Sequence, residues 1–200
     1  MEQIQQVITI LLVLAIAVDF LLIGLRGLTT GKPIFIGVRR LFFGFLLLTA
    51  LSVGVSITRL ISVSEVEAGD ARIIRHVVVF GFTAWQWFLG GYLALGITEE
   101  TLGRAIGFAL TRLGLRSENR ANGIALLDSG SIFEARLARK SYAFLRVSGG
   151  LNPQPVLDDI VSIMREYYET SQVRTAKWVF GVFILGGLII GLLGYWLMQL

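Results

Sequence analysis

The chain reads TEETLGRAIGFALTRLGLRSENRANGIALLDSGSIFEARLARKSYAFLRVSGGLNPQPVLDDIVSIMREYYETSQVRTAK from Thr98 to Lys177. This stretch carries 11 of the 18 Lys and Arg residues, and long apolar segments flank it on both sides. Cytoplasmic loops of membrane proteins hold an excess of Lys and Arg, and this excess sets the orientation of the adjoining helices. We therefore predict that residues 98–177 lie on the cytoplasmic side of a membrane.

The composition supports a membrane location. Hydrophobic residues make up 54% of the chain and charged residues 16%, whereas soluble domains average about 25% charged residues. The net charge of +4 raises the question of a nucleic-acid partner. Because the basic residues stand beside apolar segments, the orientation rule accounts for them, and we expect no nucleic acid to bind.

The chain contains no cysteine and one histidine, His76. Disulfides, Cys-ligated zinc and thiol nucleophiles are therefore excluded, and one imidazole is too few for a His-rich metal site. We predict no metal site, no catalytic residues and no enzymatic activity. His76 remains a candidate ligand for a haem or pigment, with a solvated interfacial side chain as the alternative. The sequence specifies no cofactor beyond this candidate.

Four apolar segments are long enough to cross a bilayer of about 30 Å. They are Ile4–Leu28, Leu41–Ile61, Val77–Ile97 and Trp178–Met198. With residues 98–177 inside, both termini lie on the opposite side. The predicted fold is an all-α integral membrane protein with four transmembrane helices and a helical cytoplasmic insertion. The predicted regions are a three-helix membrane region (1–97), the insertion (98–177) and the fourth span (178–200).

Helical signals run through the insertion. Apolar residues recur at helical spacing from Thr98 to Arg116, which suits either an interfacial helix or packing on the protein's own core. Ser131 followed by Glu134 has the spacing of a capping box and predicts a helix to about Val147. A further helix is predicted to begin near Pro153. No Gly or Pro occurs from Val156 to Phe180, which predicts that this helix continues unbroken into the fourth span.

Residues Ala125–Ser131 read ALLDSGS. This motif resembles the active-site loop of retroviral-type aspartic proteases, which implies two such aspartates sharing a proton across a dimer. The helical pattern around the motif favours a different interpretation. In it, Asp128–Gly130 forms a turn and Ser131 caps the following helix.

Several polar residues fall within the predicted spans. Asp19 lies about 10 Å deeper than Arg26, so its carboxylate requires a partner, and Arg39 or Arg40 is the nearest candidate. A polar face in the second span, continued by Gln86 of the third span, suits either an ion path or hydrogen bonds between helices, and we favour the second. The residues of that polar face are Thr49, Ser52, Ser56 and Arg59.

Gly187, Gly191 and Gly194 form a ridge of small residues on the fourth span. Such a ridge permits close approach of another helix. The partner helix belongs either to this chain or to another one.

Two functional hypotheses follow. The favoured one is a non-catalytic membrane subunit or scaffold, whose partners are the lipid bilayer and either other membrane subunits or further copies of itself. The alternative is a small oligomeric ion or proton channel, or an ion-coupled transporter, that uses Asp19 and the polar face of the second span.

Overall fold

The computed structural model describes residues 2–62, 77–85, 90–120, 123–138, 141–150, 152–171, 173 and 175–199, with the backbone alone at 2, 3, 5, 6, 52, 54–62 and 197. Within these ranges the helices are α1 (Glu2–Thr30), α2 (Val38–Ser62), α3 (77–85), α4 (Glu99–Arg112), α5 (Pro153–Thr170) and α6 (Trp178–Leu197). The strands are β1 (Ile34–Gly37), β2 (Tyr92–Leu95), β3 (Ser117–Arg120), β4 (Gly123–Leu126), β5 (Ser131–Ala138) and β6 (Tyr142–Gly149).

The predicted all-α fold with four transmembrane helices is wrong. The described strands form a six-stranded sheet. Among the described helices, two are long and apolar enough to cross a membrane, over Val7–Thr30 in α1 and Trp178–Trp196 in α6. The protein is therefore an α and β structure with two candidate spans, and its insertion is not purely helical.

The sheet is antiparallel throughout, in the order β1-β2-β6-β5-β4-β3. β1 therefore lies at one edge and β3 at the other. β5 and β6 form the longest pairing, from Ser131 opposite Gly149 to Ala138 opposite Tyr142. These two strands lie where a helix capped by Ser131 was predicted, and that prediction is wrong.

The burial of β6 shows why residues 142–149 form a strand. Ala143, Leu145 and Val147 are buried, while Phe144 and Arg146 between them are exposed. Burial that alternates with a period of two is the pattern of a strand with one covered face. The spacing of Ser131 and Glu134 predicted a helix here because the sequence signal at its start does not distinguish a helix cap from the first residue of a strand.

β2 occupies the end of the predicted third span. β2 begins at Tyr92, directly after Gly91, whose φ is +98°. A Cβ at this position would come within 2.6 Å of the Leu145 carbonyl oxygen. Only glycine combines this backbone conformation with such a close approach to β6, so the apolar run from Val77 to Ile97 is not one helix.

Helices α4 and α5 cover one face of the sheet and build the main core. Their apolar stripes meet Phe133, Leu145 and other inward side chains of β5 and β6. From these helices the fully or nearly buried residues are Leu102, Ala105, Ile106, Ala109, Leu110, Leu157, Ile160, Val161, Met164 and Tyr168. The predicted helices beginning near Thr98 and Pro153 are thus confirmed, and the apolar face of α4 packs on the protein's own core.

The predicted unbroken helix from residue 156 into the fourth span is wrong. α5 ends at Thr170, and Ser171 has an extended backbone with φ −93° and ψ 136°. The Thr175 hydroxyl then donates to the Gly31 carbonyl at 2.8 Å, and α6 begins at Trp178. Tertiary contacts therefore interrupt a sequence that has no Gly or Pro to break it.

The chain divides into two compact units. The helical unit contains Met1–Leu21, Val38–Gly90 and Leu185–Leu200, and the sheet unit contains Leu22–Gly37 and Gly91–Ile184. In the sheet unit, the buried Phe180 ring of α6 lies against Gly27 of α1 and Gly96 after β2. This contact joins the end of α1 and the start of α6 to the sheet.

Candidate functional site

Asp19 and Arg40 form an ion pair in the helical unit. The Arg40 Nη2 atom donates to Asp19 Oδ1 at 3.0 Å, joining α1 to α2. The Asp19 side chain is 33% exposed and that of Arg40 is 74% exposed. In water such a pair contributes about 0–1 kcal/mol, whereas in hydrocarbon it supplies the partner that a carboxylate requires. Arg39 is also exposed, on the first turn of the same helix.

The Thr49 and Thr83 hydroxyl oxygens lie 3.3 Å apart and connect α2 to α3. Each hydroxyl also lies within hydrogen-bonding distance of a carbonyl in its own helix, 2.9 Å from Phe45 O and 3.0 Å from Val79 O. This is the arrangement of a hydrogen bond between helices. The other members of the predicted polar set, namely the side chains of Ser52, Ser56, Arg59 and Gln86, lie outside the described residues, as does His76.

The three glycines of the α6 ridge face α1. A Cβ on Gly187 would lie 2.8 Å from Leu21 Cγ and 2.9 Å from the Ala17 carbonyl oxygen. A Cβ on Gly194 would meet Leu14 and Val13 at 3.1 and 3.2 Å, and one on Gly191 would be 3.8 Å from the Ala17 Cβ. The ridge therefore packs within this chain, tightly at Gly187 and loosely at Gly191.

A polar cluster that the sequence did not indicate joins β2 to α5. The Tyr92 hydroxyl donates to Asp158 Oδ1 at 2.9 Å, and Gln154 Nε2 donates to the same oxygen at 2.8 Å. Partial burial raises the pKa of Tyr92, and the hydrogen bond to the Asp158 carboxylate raises it further. Tyr92 was interpreted as part of a transmembrane helix, so its proximity to Asp158 had no signal in the sequence.

Arg165 of α5 connects the first two strands. Its guanidinium lies 6.0 Å from the Phe35 ring centroid and 5.7 Å from that of Tyr92, and Nη2 donates to the Phe35 carbonyl at 3.0 Å. The planar cation thus stacks on two rings while satisfying a backbone acceptor. Its role in this geometry is to hold the β1 edge against α5.

Asp128 lies in the turn of residues 127–130, between β4 and β5. Its carboxylate accepts from the Arg116 backbone amide at 2.9 Å and from Arg116 Nη2 at 2.7 Å. These hydrogen bonds hold the pKa of Asp128 below its usual value. A carboxylate held ionised in this way does not suit the proton-sharing role that the protease resemblance implies. The predicted turn is confirmed, but Ser131 begins a strand.

One buried hydroxyl in the core of the sheet unit is unsatisfied. The Tyr168 hydroxyl makes no hydrogen bond within the described structure. Burial raises the pKa of Tyr168 to about 12, although the nearby Thr101 side chain lowers it. The two hydroxyls approach without meeting the geometry of a hydrogen bond, so Tyr168 acts in the core mainly through its ring.

Among the described residues, no three His, Asp or Glu side chains gather where they could hold a metal ion. Several described polar groups instead form pairs that join elements, such as Asp19 with Arg40 and Tyr92 with Asp158. No protein-family model, curated protein or solved structure matches this chain.

Proposed function

We propose that this protein is a non-catalytic membrane subunit in which α1 and α6 cross the bilayer and the sheet unit docks a partner protein on the cytoplasmic side. The observation that carries the docking role is the face of β5 and β6 opposite α4 and α5. On that face Arg136, Phe144 and Arg146 are exposed, so an aromatic ring lies beside two arginines.

The outward surfaces of α1 and α6 support anchoring. Large apolar side chains that are at least half exposed include Leu11, Leu22, Leu188, Leu192 and Trp196. Soluble monomers rarely expose large continuous apolar patches, whereas a bilayer solvates them without cost. The close α1–α6 packing at Gly187 is also typical of helix pairs in membranes.

The distribution of positive charge supports a cytoplasmic sheet unit. Lys32 and Arg39 follow α1 closely, and Arg174 and Lys177 immediately precede α6. Basic residues this close to the ends of spans favour the cytoplasmic side. Trp178, with 54% of its surface exposed at the start of α6, suits the headgroup region.

The open sheet face supports docking of a protein with an acidic surface. Phe144 is 39% exposed and stands directly opposite Arg136, whose side chain is 81% exposed. Arg136 pairs with Glu134 at 3.2 Å, while the exposed Arg146 makes no ion pair with any described residue. Aromatic and arginine side chains are the residue types that contribute most at protein interfaces.

The docking role is tested by comparing surface variants after extraction from the native membrane in mild detergent. The wild-type chain is expected to co-purify with unlike chains of fixed stoichiometry. Phe144→Ser combined with Arg146→Glu should reduce that recovery by about tenfold or more, the effect of losing one interface hot spot. Arg104→Glu, on the exposed side of α4, is the matched control and should leave recovery unchanged. Recovery of this chain alone, or equal recovery from both variants, would contradict the proposal.

The alternative function is a small ion or proton channel. Its support is a charged pair and a hydroxyl pair within one unit of largely apolar helices. Because Arg40 pairs with Asp19 and the Thr49 hydroxyl meets that of Thr83, this geometry favours a packing role for these groups over a permeation path. The scaffold therefore remains the preferred proposal.

A further inference from the structure

The outer edge strand β3 (Ser117–Arg120) differs from the other edge of the sheet. All four of its residues are exposed. β1, at the opposite edge, has two buried residues, and Arg165 covers its Phe35 carbonyl. An uncovered edge strand is a template for pairing with another strand.

The hydrogen bonds of β3 show which backbone groups face outward. The Leu127 amide donates to the Arg116 carbonyl at 2.9 Å. Glu118 lies opposite Ala125 in the β3–β4 register, so the same register places Arg116 opposite Leu127, and these two residues form a hydrogen-bonded pair. Backbone groups of a strand point to alternate sides. The amides and carbonyls of Glu118 and Arg120 therefore face β4, and those of Asn119 face the open edge.

The charges on β3 are complementary to those of the same strand run in reverse. Glu118 and Arg120 share one face, and their side chains meet at 3.4 Å within the strand. An antiparallel second copy centred on Asn119 would place Glu118 opposite Arg120 of that copy, and Arg120 opposite its Glu118. These would be non-hydrogen-bonded pairs, in which side chains come closest.

We propose that β3 is a self-association edge, and that its occupant is the β3 strand of a second copy of this chain. The two Asn119 residues would exchange backbone hydrogen bonds at the twofold axis, flanked by two ion pairs between the copies. The two sheets would then continue across the dimer. This surface lies on the strand edge and not on the proposed docking face, so it goes beyond the proposed function and does not depend on it.

The dimer is tested by disulfide cross-linking of the full chain in its membrane. Since the sequence has no cysteine, Asn119→Cys introduces the only thiol. Directly opposed residues in a hydrogen-bonded antiparallel pair have Cα atoms about 5.5 Å apart, within the range of about 4.4–6.8 Å that disulfides span. Mild oxidation should therefore give a covalent dimer. Gly107→Cys, at an exposed position of α4, is the control and should give little.

Charge reversal separates specific pairing from random collision. With Asn119→Cys present, Glu118→Arg or Arg120→Glu should each lower the dimer yield about fivefold, because like charges then oppose each other. Reversing both residues together restores complementarity and should restore the yield. Equal cross-linking of Asn119→Cys and Gly107→Cys would overturn the proposal. So would a dimer yield that charge reversal at Glu118 or Arg120 leaves unchanged. Failure of this test leaves the anchoring and docking experiments unaffected, so the two proposals fail separately.

Discussion

At the scale of single residues, the ion pair of Asp19 with Arg40 is the contact on which the scaffold and channel hypotheses differ. A carboxylate within an apolar segment requires a cationic partner, and this requirement limited the choice to Arg39 or Arg40. In the structure the Arg40 guanidinium lies 3.0 Å from the Asp19 carboxylate. The choice depended on the helical phase of α2, which begins directly after β1. Because β1 was not predicted, that phase was not available from the sequence.

Asp19→Asn distinguishes the scaffold from the channel. The amide keeps the shape and one hydrogen-bond acceptor but removes the charge, and Arg40 can extend toward water. We expect a loss of at most about 1 kcal/mol in stability and no change in proton or ion flux across reconstituted vesicles. A wild-type flux above that of empty vesicles, abolished by Asp19→Asn but kept in Arg104→Gln, would favour the channel instead.

At the scale of elements, local periodicity predicted α4 and α5 but not the strands. Their apolar stripes and their starts after Thr98 and at Pro153 are signals contained within each segment. β2 consists of apolar residues adjoining an apolar helix, so no composition change marks it. The apolar residues of β5 and β6 alternate, but Arg136 and Arg146 also fit a basic helix. Their pairing is non-local and has no signature within either segment.

The packing of α6 on α1 depends on the absence of a side chain at Gly187. Gly187→Ala places a methyl group within 3 Å of Leu21 and of the Ala17 carbonyl, which should cost about 1–3 kcal/mol through overpacking. Gly181→Ala in the same helix meets no atom within 4 Å, so it should be neutral or stabilising by up to about 1 kcal/mol. Thermal unfolding in detergent compares them. Equal midpoints for the two variants would show that α1 and α6 are not closely packed.

At the scale of the whole molecule, the composition predicted a membrane protein, but the predicted all-α class with four spans was wrong. The apolar segments dominate the composition, so the chain resembles a bundle of spans. Between the two candidate spans, however, a sheet and two amphipathic helices build a core of their own. Every Lys and Arg except Arg26 lies between those spans. The predicted orientation counted Arg59, Arg72 and Arg75 on the outer side, whereas all three lie between the two candidate spans. The orientation itself stays a prediction.

The most direct test of the account is the accessibility of single cysteines in intact cells, because the chain has none of its own. Leu127→Cys lies on an exposed turn of the sheet unit, where the native residue is 52% exposed, and Gln199→Cys lies in the exposed segment after α6. If α1 and α6 anchor a cytoplasmic sheet unit, a membrane-impermeant thiol reagent should label Gln199→Cys at once and Leu127→Cys only after permeabilisation. Labelling of Leu127→Cys in intact cells, or recovery of the protein in the soluble fraction, would contradict the account.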